Sequence, residues 1–547
     1  MPIQHSVEKV LDTISRRYRG PGGAIAVIKD GSLLGQRVWG YADIDQRVPL
    51  TPEIQMPICS ITKQFVCALL LDLERNPPPE VAAKGDIQTQ FTFKLHELLR
   101  PELTQGTGLT LQHLCDMQSG IRDYWAMTTL WGAHPEDIFS VEKDGPAAIE
   151  RTRSFHFQPG NEFSYCNVNF YITARVIEQV TGQPLGKLLA ERVLSPAGMA
   201  TALLCPDTAQ HPGPCVGYEG TEKTGYQAAV NKMEWSGDAG LVASLMDMVA
   251  YEKYLDRIHS DPRSWYRIAT EPQTFSDGGL AKYHYGLGHV NVEGIDTVGH
   301  GGALRGYRLH RRHVPSEHMS VVVLFNHEAD ASEAVNDVIR GILGLEKPSK
   351  MDIAASPDWI GTFLDRDSEM AITVSKGSQA GEICISYAFS PSTEALRLLN
   401  SNEAQSNSMT ARIEGDTLYV NRIGDNRKLE GRRIVPRESA FEDTSLQGDY
   451  HCAEADSTFH CVGGAGLLYG SFDGYLGRGP ASLMKYLGDD VWALTCQRGL
   501  DAPAPGDWTL AFHRNESGAV DLVSSKLWQI MPLLQVNAGP ELWLRFK

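Results

Sequence analysis

A serine and a lysine three residues apart, in Ser60-Ile61-Thr62-Lys63, are the residues of this sequence best suited to covalent chemistry. On a helix, positions i and i+3 share one face about one turn apart. A lysine held there and removed from water can lose its proton and accept that of the serine hydroxyl. A serine in the first turn also brings its backbone N–H to the positive helix end, where an oxyanion can bind. The pattern predicts Ser60 as an acyl-accepting nucleophile and Lys63 as its base.

The Ser-x-x-Lys pattern occurs four times, at Ser6, Ser60, Ser140 and Ser482, so its surroundings must decide between them. The first and third lie among charged residues that would keep the lysine solvated, and the fourth falls in a β-rich part of the chain. Only Ser60 opens an apolar run, residues 64–73, that would bury its lysine. The alternative is an ordinary helix N-cap followed by a surface lysine, because short motifs often match by chance.

A tyrosine and an asparagine two residues apart, Tyr165 and Asn167, form the second candidate element. They follow a turn and precede an apolar helix. A tyrosine there can exchange protons with the serine and the leaving group, and the asparagine can bind the lysine and a substrate carbonyl. A second match, Tyr419-Val-Asn421, sits inside a strand-like stretch, where a structural role is the better interpretation.

The third element should be a strand beside the nucleophile with a cationic or polar residue and small neighbours, and two segments compete for it. Lys223-Thr224-Gly225 lies in a polar turn, whereas His300-Gly301-Gly302 leads into a strand pair. Small residues let a substrate approach the strand backbone, and the N–H of Ala303 could be the second oxyanion donor. We choose His300, which would help to set the charge around Tyr165. A glycine-rich hairpin with an incidental histidine remains the alternative.

The elements that must position these residues read as a mixed α/β domain extending to about residue 345. Apolar residues 23–29 and residues 33–41, joined by Asp30-Gly31, predict a β-hairpin. Helices are expected over 59–73 and over 170–180, the latter closed by Thr181-Gly182. Ser244 to Asp247 resembles a capping box, and strands are expected over 306–311 and 319–325.

After a plausible linker at residues 347–350, short alternating stretches punctuated by Gly and Asp replace helical periodicity. This pattern is typical of β-barrels or sandwiches. Two similar units fit the length, divided near residues 441–445. Trp359-Ile-Gly361-Thr-Phe363 and Leu446-Gln-Gly448-Asp-Tyr450 are similar as unit starts. The strand-like stretches are 383–387, 417–422, 467–472, 491–496 and 508–513.

Composition excludes several classes of protein. The formal charge of −17 over 547 residues argues against nucleic-acid and anionic-membrane partners, which require a basic surface. The ten cysteines include no CxxC pair, so we expect buried free thiols and no zinc framework. There is no HExxH motif, phosphate-binding loop, dinucleotide fingerprint or G-x-S-x-G, so we expect no metal, no cofactor and no α/β-hydrolase. Without a signal peptide or membrane span, the expected location is cytoplasmic.

These motifs resemble the serine β-lactamase and penicillin-binding-protein superfamily, and more narrowly its D-aminopeptidase (DAP) family. The supporting stretches are residues 56–65, 118–125, 163–167, 237–240 and 299–306, and the likeness continues through the tail. The resemblance implies a catalytic domain at 1–345 and antiparallel eight-stranded β-barrels at 346–443 and 444–547. It implies release of small N-terminal D-amino acids from peptides, amides and esters, inhibition by β-lactams, and a homodimer.

The resemblance also gives the last barrel a role, through a loop that would enter the catalytic cleft. Asp501 in this loop would bind the free ammonium of the substrate. The rest of the loop is Gln497, Arg498, Gly499, Leu500, Ala502, Pro503, Ala504, Pro505, Gly506 and Asp507. Read from the sequence alone, the segment is a proline-rich surface turn. The chain departs from the family over residues 74–103, where it is longer and could alter access to the cleft.

Two other functions stay open at this point. A related β-lactamase, D,D-carboxypeptidase or esterase would share the nucleophile but would have no use for Asp501. A non-enzymatic receptor would keep the fold to bind peptides or penicillins, and the intact set of Ser60, Lys63 and Tyr165 argues against it.

Overall fold

A computed structural model describes residues 2–346, 353–387, 393–436, 444–464, 466–495, 507–517, 520–531 and 534–545. The linker expected at 347–350 lies outside the described residues, as does the loop segment 497–506. The order of elements is helices and one large sheet up to residue 343, and then two groups of antiparallel strands. The fold class expected from the sequence is confirmed. The exact domain boundaries stay a prediction.

The first part is built on an antiparallel sheet with the order β11-β12-β13-β14-β15-β1-β2-β3. Its strands and the short ones around it are β1 Gly22–Lys29, β2 Ser32–Asp43, β3 Val48–Pro49, β4 Met56–Pro57, β5 Leu203–Leu204, β6 Tyr218–Thr221, β7 Gly225–Ala228, β8 Leu241–Ala243, β9 Gln273–Thr274, β10 Leu280–Ala281, β11 Tyr283–His284, β12 Leu287–Val292, β13 Ile295–Leu304, β14 Tyr307–Val314 and β15 Met319–Phe325.

Helices cover both faces of this sheet. They are α1 Pro2–Arg17, α2 Thr62–Arg75, α3 Pro79–Ala82, α4 Ile87–Leu98, α5 Pro101–Thr104, α6 Leu111–Cys115, α7 Tyr124–Leu130, α8 Asp144–Arg151, α9 Val168–Thr181, α10 Leu185–Leu189, α11 Leu245–His259, α12 Trp265–Ala269 and α13 Ala331–Leu343. Ile25 and Val27 of β1 pack with α1 and α13, whereas Ala24 and Ala26 face the core built on α2. Burial on both faces explains why β1 is apolar throughout rather than alternating.

The turn and the helix ends that local sequence patterns predict are present in the structure. Asp30 and Gly31 both have positive φ, at 52° and 68°, as the tight turn between β1 and β2 requires. Gly182 ends α9 in the left-handed conformation, and Ser244 caps α11 through a complete capping box. The longer segment 74–103 folds as α3 to α5, with α4 packed on α9, so it extends the helical layer.

The first group of C-terminal strands forms a closed eight-stranded barrel, here called barrel B. Its strands are β16 Gly361–Asp365, β17 Ala371–Lys376, β18 Glu382–Tyr387, β19 Glu394–Leu398, β20 Glu403–Gln405, β21 Met409–Glu414, β22 Thr417–Arg422 and β23 Arg427–Ile434. Each strand pairs with the next, and β16 pairs with β23 to close the ring. Alternate residues of each strand fill the interior, as in β22, where Leu418 and Val420 are buried.

The second group, barrel C, is a nine-stranded sheet that also pairs β25 with β26, so eight of its strands form a ring and β27 is an addition. Its strands are β24 Gly448–Cys452, β25 Ser457–Gly464, β26 Leu467–Gly474, β27 Gly477–Arg478, β28 Ser482–Gly488, β29 Val491–Leu494, β30 Trp508–Arg514, β31 Val520–Met531 and β32 Leu534–Arg545.

The expected similarity between the starts of the two barrels is confirmed. In each, a 3₁₀ turn ends on a buried residue, Trp359 or Leu446, and a glycine with φ near 150° then opens the first strand. The first inward side chain of that strand is aromatic, Phe363 or Tyr450, and is fully buried. The two units thus begin with the same local structure.

No helix in the described part of the chain is long and apolar enough to span a bilayer. Among the same residues, no cluster of three or more His, Cys, Asp or Glu side chains could hold a metal ion.

Candidate active site

Ser60 lies on a short 3₁₀ turn, Cys59–Ile61, that leads into α2. The helix expected from residue 59 therefore becomes α-helical only at Thr62. Cys59 has a φ of 52°, a left-handed conformation that side chains other than glycine rarely adopt. Such a conformation costs about 1–3 kcal/mol and is found where surrounding structure requires it. It turns the chain sharply just before Ser60, a residue that keeps 8% of its surface exposed.

Lys63 is completely buried, and its ammonium makes three hydrogen bonds. It donates to Ser60 Oγ at 3.0 Å, to Asn167 Oδ1 at 2.9 Å and to the main-chain oxygen of Asp238 at 2.8 Å. Burial lowers the pKa of Lys63 to about 8, although nearby Asp238 and Asp123 oppose this shift. Once neutral, the amine has a lone pair, and of its three partners only the serine hydroxyl can donate to it. The geometry therefore directs the base towards Ser60.

Asp123 holds Asn167 in the orientation that Lys63 needs. Its carboxylate accepts from Asn167 N at 2.5 Å, Asn167 Nδ2 at 3.2 Å and Val168 N at 3.3 Å. Because Nδ2 faces this carboxylate, Oδ1 must face Lys63. Burial raises the pKa of Asp123 to about 6, and its hydrogen bonds with Asn167 and Val168 partly offset that effect.

Asp238 supplies a second buried carboxylate beside the lysine. It accepts hydrogen bonds from the Tyr124 hydroxyl and from Ser236 N, the latter at 2.8 Å. Burial raises the pKa of Asp238, while the positive charge of Lys63 lowers it. The main-chain oxygen of the same residue binds Lys63, so Asp238 fixes the position of the lysine, while its carboxylate affects the pKa of the lysine.

Tyr165 is buried next to this cluster, and the Lys63 ammonium lies 4.9 Å from the centre of its ring. Burial holds the pKa of Tyr165 well above its ordinary value, and the neighbouring Ser60 side chain partly counteracts this. The phenol is therefore protonated at neutral pH. Its hydroxyl makes no well-formed hydrogen bond with the described residues, which leaves it available to a substrate group.

His300 is a neutral imidazole in a set of three rings with Tyr165 and Tyr283, in which Tyr283 lies edge-on to the other two and His300 is tilted against Tyr165. Burial, together with the smaller effect of the Lys63 charge, lowers the pKa of His300 to about 3. Its Nδ1 lies 2.5 Å from the Gly301 oxygen, so we assign the proton to Nδ1 and the lone pair to Nε2. Nε2 then accepts from the Tyr283 hydroxyl at 2.9 Å. His300 lies beside Tyr165, with ring centres 6.2 Å apart, and adds no positive charge there.

Strand β13 presents an open edge to the nucleophile. Its pairing with β12 ends at Gly299, and its pairing with β14 continues to Leu304. By the alternation of antiparallel hydrogen bonds, the N–H of Ala303 points to the unpaired edge. Gly302 packs closely, since a Cβ added there would lie 2.4 Å from the Ile58 oxygen. Small residues thus let the strand approach the turn that carries Ser60.

The competing motifs lie elsewhere. Lys223 and Thr224 lie in the exposed turn between β6 and β7, and Gly225 opens β7. Tyr419 to Asn421 is part of β22 in barrel B. Asp507 directly precedes β30. Asp501 and the rest of segment 497–506 lie outside the described residues.

Sequence reasoning assigned no role to Asp123, Asp238, Tyr124 or Tyr283. The first three lie in stretches that carried the family resemblance, residues 118–125 and 237–240, so a signal for them existed. Tyr283 lies on a two-residue strand with no distinctive pattern. Its role depends on a tertiary contact with His300.

Comparisons with known proteins agree with this architecture. A family model described as "Beta-lactamase" matches residues 7–344, and one described as "D-aminopeptidase, domain B" matches residues 352–529. Curated D-aminopeptidases from Brucella canis and Brucella anthropi are each 39% identical over 523 residues. That alignment covers 96% of this chain, and 97% and 96% of those proteins respectively.

Two solved structures share the fold at low sequence identity. The octameric penicillin-binding protein homologue from Pyrococcus abyssi has a TM-score of 0.53 and 18% identity, covering 78% of this chain and 99% of that one. The structure titled SurE has a TM-score of 0.52 and 18% identity, covering 79% and 99%.

Proposed function

Because this chain belongs to the D-aminopeptidase family, whose activity is the D-stereospecific removal of N-terminal residues, we propose that it performs that reaction through an acyl-enzyme on Ser60. The observation that carries the proposal is the hydrogen bond of 3.0 Å between Lys63 Nζ and Ser60 Oγ inside a buried site. A lysine with a pKa of about 8 is neutral often enough at physiological pH to act as a base.

The proposed cycle begins when Lys63 accepts the Ser60 proton and Oγ attacks the carbonyl carbon of the N-terminal residue. The N–H groups of Ser60 and Ala303 hold the resulting oxyanion. The C–N bond then breaks, Tyr165 gives its phenolic proton to the leaving amine, and the proton on Lys63 neutralises the phenolate. In the second half, water attacks the ester, gives one proton to Lys63 and releases the amino acid, and Ser60 recovers that proton.

His300 and Asn167 complete the proposed site. A neutral His300 places no second positive charge beside Lys63. A cation there would lower the pKa of the lysine further and make it a weaker base for the Ser60 proton. Asn167 Oδ1 lies at hydrogen-bond distance from the lysine, and in this proposal the remaining N–H of its Nδ2 binds a substrate carbonyl.

The family resemblance supports a role for the segment 497–507. In this proposal Asp501 binds the free ammonium of the substrate, and the loop fills the space that an N-acyl group would need. A requirement for a free amine distinguishes an aminopeptidase from the related esterase, β-lactamase and D,D-carboxypeptidase functions.

The decisive test measures hydrolysis of D-alanine p-nitroanilide, its L-enantiomer and its N-acetyl derivative by the wild type and by Ser60→Ala. We expect turnover of the free D-substrate only, and its loss in the variant. Turnover of the N-acetyl compound would instead favour the esterase or carboxypeptidase function. A variant with wild-type activity would remove Ser60 from the mechanism.

Three further properties are proposed from the family alone. We expect a homodimer, which sedimentation would detect, and covalent inhibition by β-lactams, which mass spectrometry would locate on Ser60. The substrates would be small peptides or amino-acid amides. The expectation of no nucleic-acid or membrane partner comes from the formal charge of −17 and not from the family, and it stays a prediction, as does the cytoplasmic location.

A further inference from the structure

One turn of barrel C is bonded to the catalytic domain along its whole length. The turn joins β24 to β25, and each residue from 453 to 457 makes a hydrogen bond or ion pair with residues 122–154. Ala453 O accepts from Arg153, Glu454 accepts from Ser154 and Arg122, Ala455 O accepts from Trp131, Asp456 accepts from Arg151, and Ser457 donates to Leu130 O.

These contacts converge on the two ends of α7. At its C-terminal end, Trp131 donates to Ala455 O at 2.8 Å and accepts from Leu476 N at 3.0 Å. At its N-terminal end, Arg122 directly precedes Asp123, which occupies the N-cap position of the helix. Barrel C therefore holds α7 at both ends.

The N-terminal end of α7 belongs to the active site. Asp123 orients Asn167, and Tyr124 donates to Asp238. The Asn167 side-chain oxygen and the Asp238 main-chain oxygen, which both bind Lys63, therefore depend on where this helix begins. A displacement of α7 would move two of the three partners of the lysine.

A small hydrogen-bonded network links the turn to that point. Arg122 is nearly buried and donates to Ser154 O at 2.9 Å and Ser154 Oγ at 2.8 Å. The Ser154 hydroxyl donates to Glu454 Oε1 at 2.7 Å, and Arg122 reaches the same oxygen at 3.4 Å. The Glu454 side chain keeps 36% of its surface exposed, so solvent screens its charge, but its bonds are charge-assisted and such bonds are stronger than neutral ones.

We propose that the β24–β25 turn is a positioning element of the active site, in which Glu454 acts through Arg122 and Ser154 to hold the start of α7. Asp123 and Tyr124 then keep Asn167 and Asp238 against Lys63. The inference rests on the proposed function. It gives barrel C a part in the chemistry that is separate from any contact its 497–507 loop makes with the substrate.

The test compares Glu454→Ala with Glu454→Gln in the full-length enzyme. The first removes the acceptor oxygen, and the second keeps an oxygen that can accept from Ser154 and Arg122. Asp449→Asn is the matched control, because Asp449 is a carboxylate of the same barrel that pairs only locally with His460. Each variant is assayed with D-alanine p-nitroanilide and followed by thermal unfolding.

We expect Glu454→Ala to lower kcat about tenfold while KM changes by less than about twofold, because α7 affects the base and not the bound amine. Glu454→Gln should restore kcat to within about threefold of wild type, and the control should match wild type. Equal kcat in Glu454→Ala and the control would overturn the inference, as would equal losses in the Ala and Gln variants.

If Glu454→Ala does not fold, Ser154→Ala removes one bond to Glu454 and is expected to lower kcat about threefold with KM unchanged. An unchanged kcat there would also overturn the inference. Failure of this inference can be told apart from failure of the proposed function, because Ser60→Ala would stay active only if the proposed function were wrong.

Discussion

Replacing Asp123 with asparagine should change the pH at which the enzyme becomes active. In the wild type the ascending limb of kcat/KM against pH reflects deprotonation of Lys63, with a pKa of about 8, so only about a tenth of the enzyme is active at pH 7. Asp123 opposes this deprotonation because its negative charge favours the ammonium. Removing that charge should lower the pKa of Lys63.

The size of the change follows from the geometry. The amide of Asn167 separates Lys63 from the Asp123 carboxylate, which places the two charges about 7 Å apart. At an effective dielectric constant of about 20 their attraction is about 2 kcal/mol, or between one and two pH units. The midpoint of the limb should therefore move from about 8 to between about 6 and 7.

The same substitution should lower the maximum rate. An asparagine can keep the bonds that Asp123 Oδ1 accepts from Asn167 N and Val168 N, but its NH₂ group cannot accept from Asn167 Nδ2 as Asp123 Oδ2 does. Hydrogen bonds to a charged group contribute about 1.5–3 kcal/mol each, so we expect the plateau of kcat/KM to fall about tenfold to a hundredfold.

The wild type should show one more feature at low pH that the variant lacks. The pKa of Asp123 is about 6, so its protonation below that pH weakens the hold on Asn167. The wild-type rate should then fall more steeply than tenfold per pH unit, whereas the variant should keep a slope of one.

The assay is kcat/KM for D-alanine p-nitroanilide between pH 5 and pH 9.5 in buffers of constant ionic strength. Asp247→Asn is the control, because Asp247 is a buried carboxylate that caps α11 and makes none of the contacts around Lys63. The reasoning is refuted if the plateau falls in Asp123→Asn while the midpoint stays near 8 or rises.

Three further predictions concern the same site. Tyr283→Phe removes the hydrogen-bond partner of His300 Nε2 and leaves that buried nitrogen unpaired, so chemical denaturation should show a loss of about 1–3 kcal/mol. No loss would contradict a stabilising Tyr283–His300 hydrogen bond. Gly302→Ala should reduce kcat/KM at least about a hundredfold, because an added Cβ would lie 2.4 Å from a main-chain oxygen. Gly301→Ala is the control and should reduce kcat/KM far less, because its Cβ would lie 3.2 Å from the nearest atom, which belongs to a side chain. Equal losses in the two variants would contradict this packing. The free energy of unfolding of the wild type should rise by about 3 kcal/mol between about pH 8 and pH 10.5, because a buried lysine with a lowered pKa destabilises the fold until it deprotonates. Lys63→Met should abolish this rise. Chemical denaturation at both pH values measures it, and a rise that persists in the variant would contradict the assignment to Lys63.

The sequence was sufficient to predict turns and helix ends whose backbone conformation depends on neighbouring residues alone. Asp30-Gly31 between two apolar runs specifies its turn, and Gly182 and the Ser244 capping box specify helix ends, because each acts within four residues. The pairing of Ser60 with Lys63 was accessible for the same reason: one helical turn joins them, and the apolar residues that bury the lysine follow directly.

Residues that act across the fold were not accessible in this way. Asp238 meets Lys63 from a position 175 residues away and was assigned no role, whereas the contact of Asn167 with the lysine was expected because the Tyr165–Asn167 motif indicates it. Cys59 has the left-handed backbone that local rules reserve for glycine, because tertiary packing around the nucleophile overrides its propensity. Its conformation could only come from the folded structure.

The turn at residues 453–457 also bears on when the enzyme becomes active during its synthesis. Ser60 and Lys63 leave the ribosome early, but the Arg122–Glu454 contact joins positions 332 residues apart in the chain. At translation rates of about 5–20 residues per second, α7 would wait about 15–70 s for its support from barrel C. An unfinished chain would thus carry the nucleophile and its base without a fully ordered site, and hydrolysis would begin only near completion of the polypeptide.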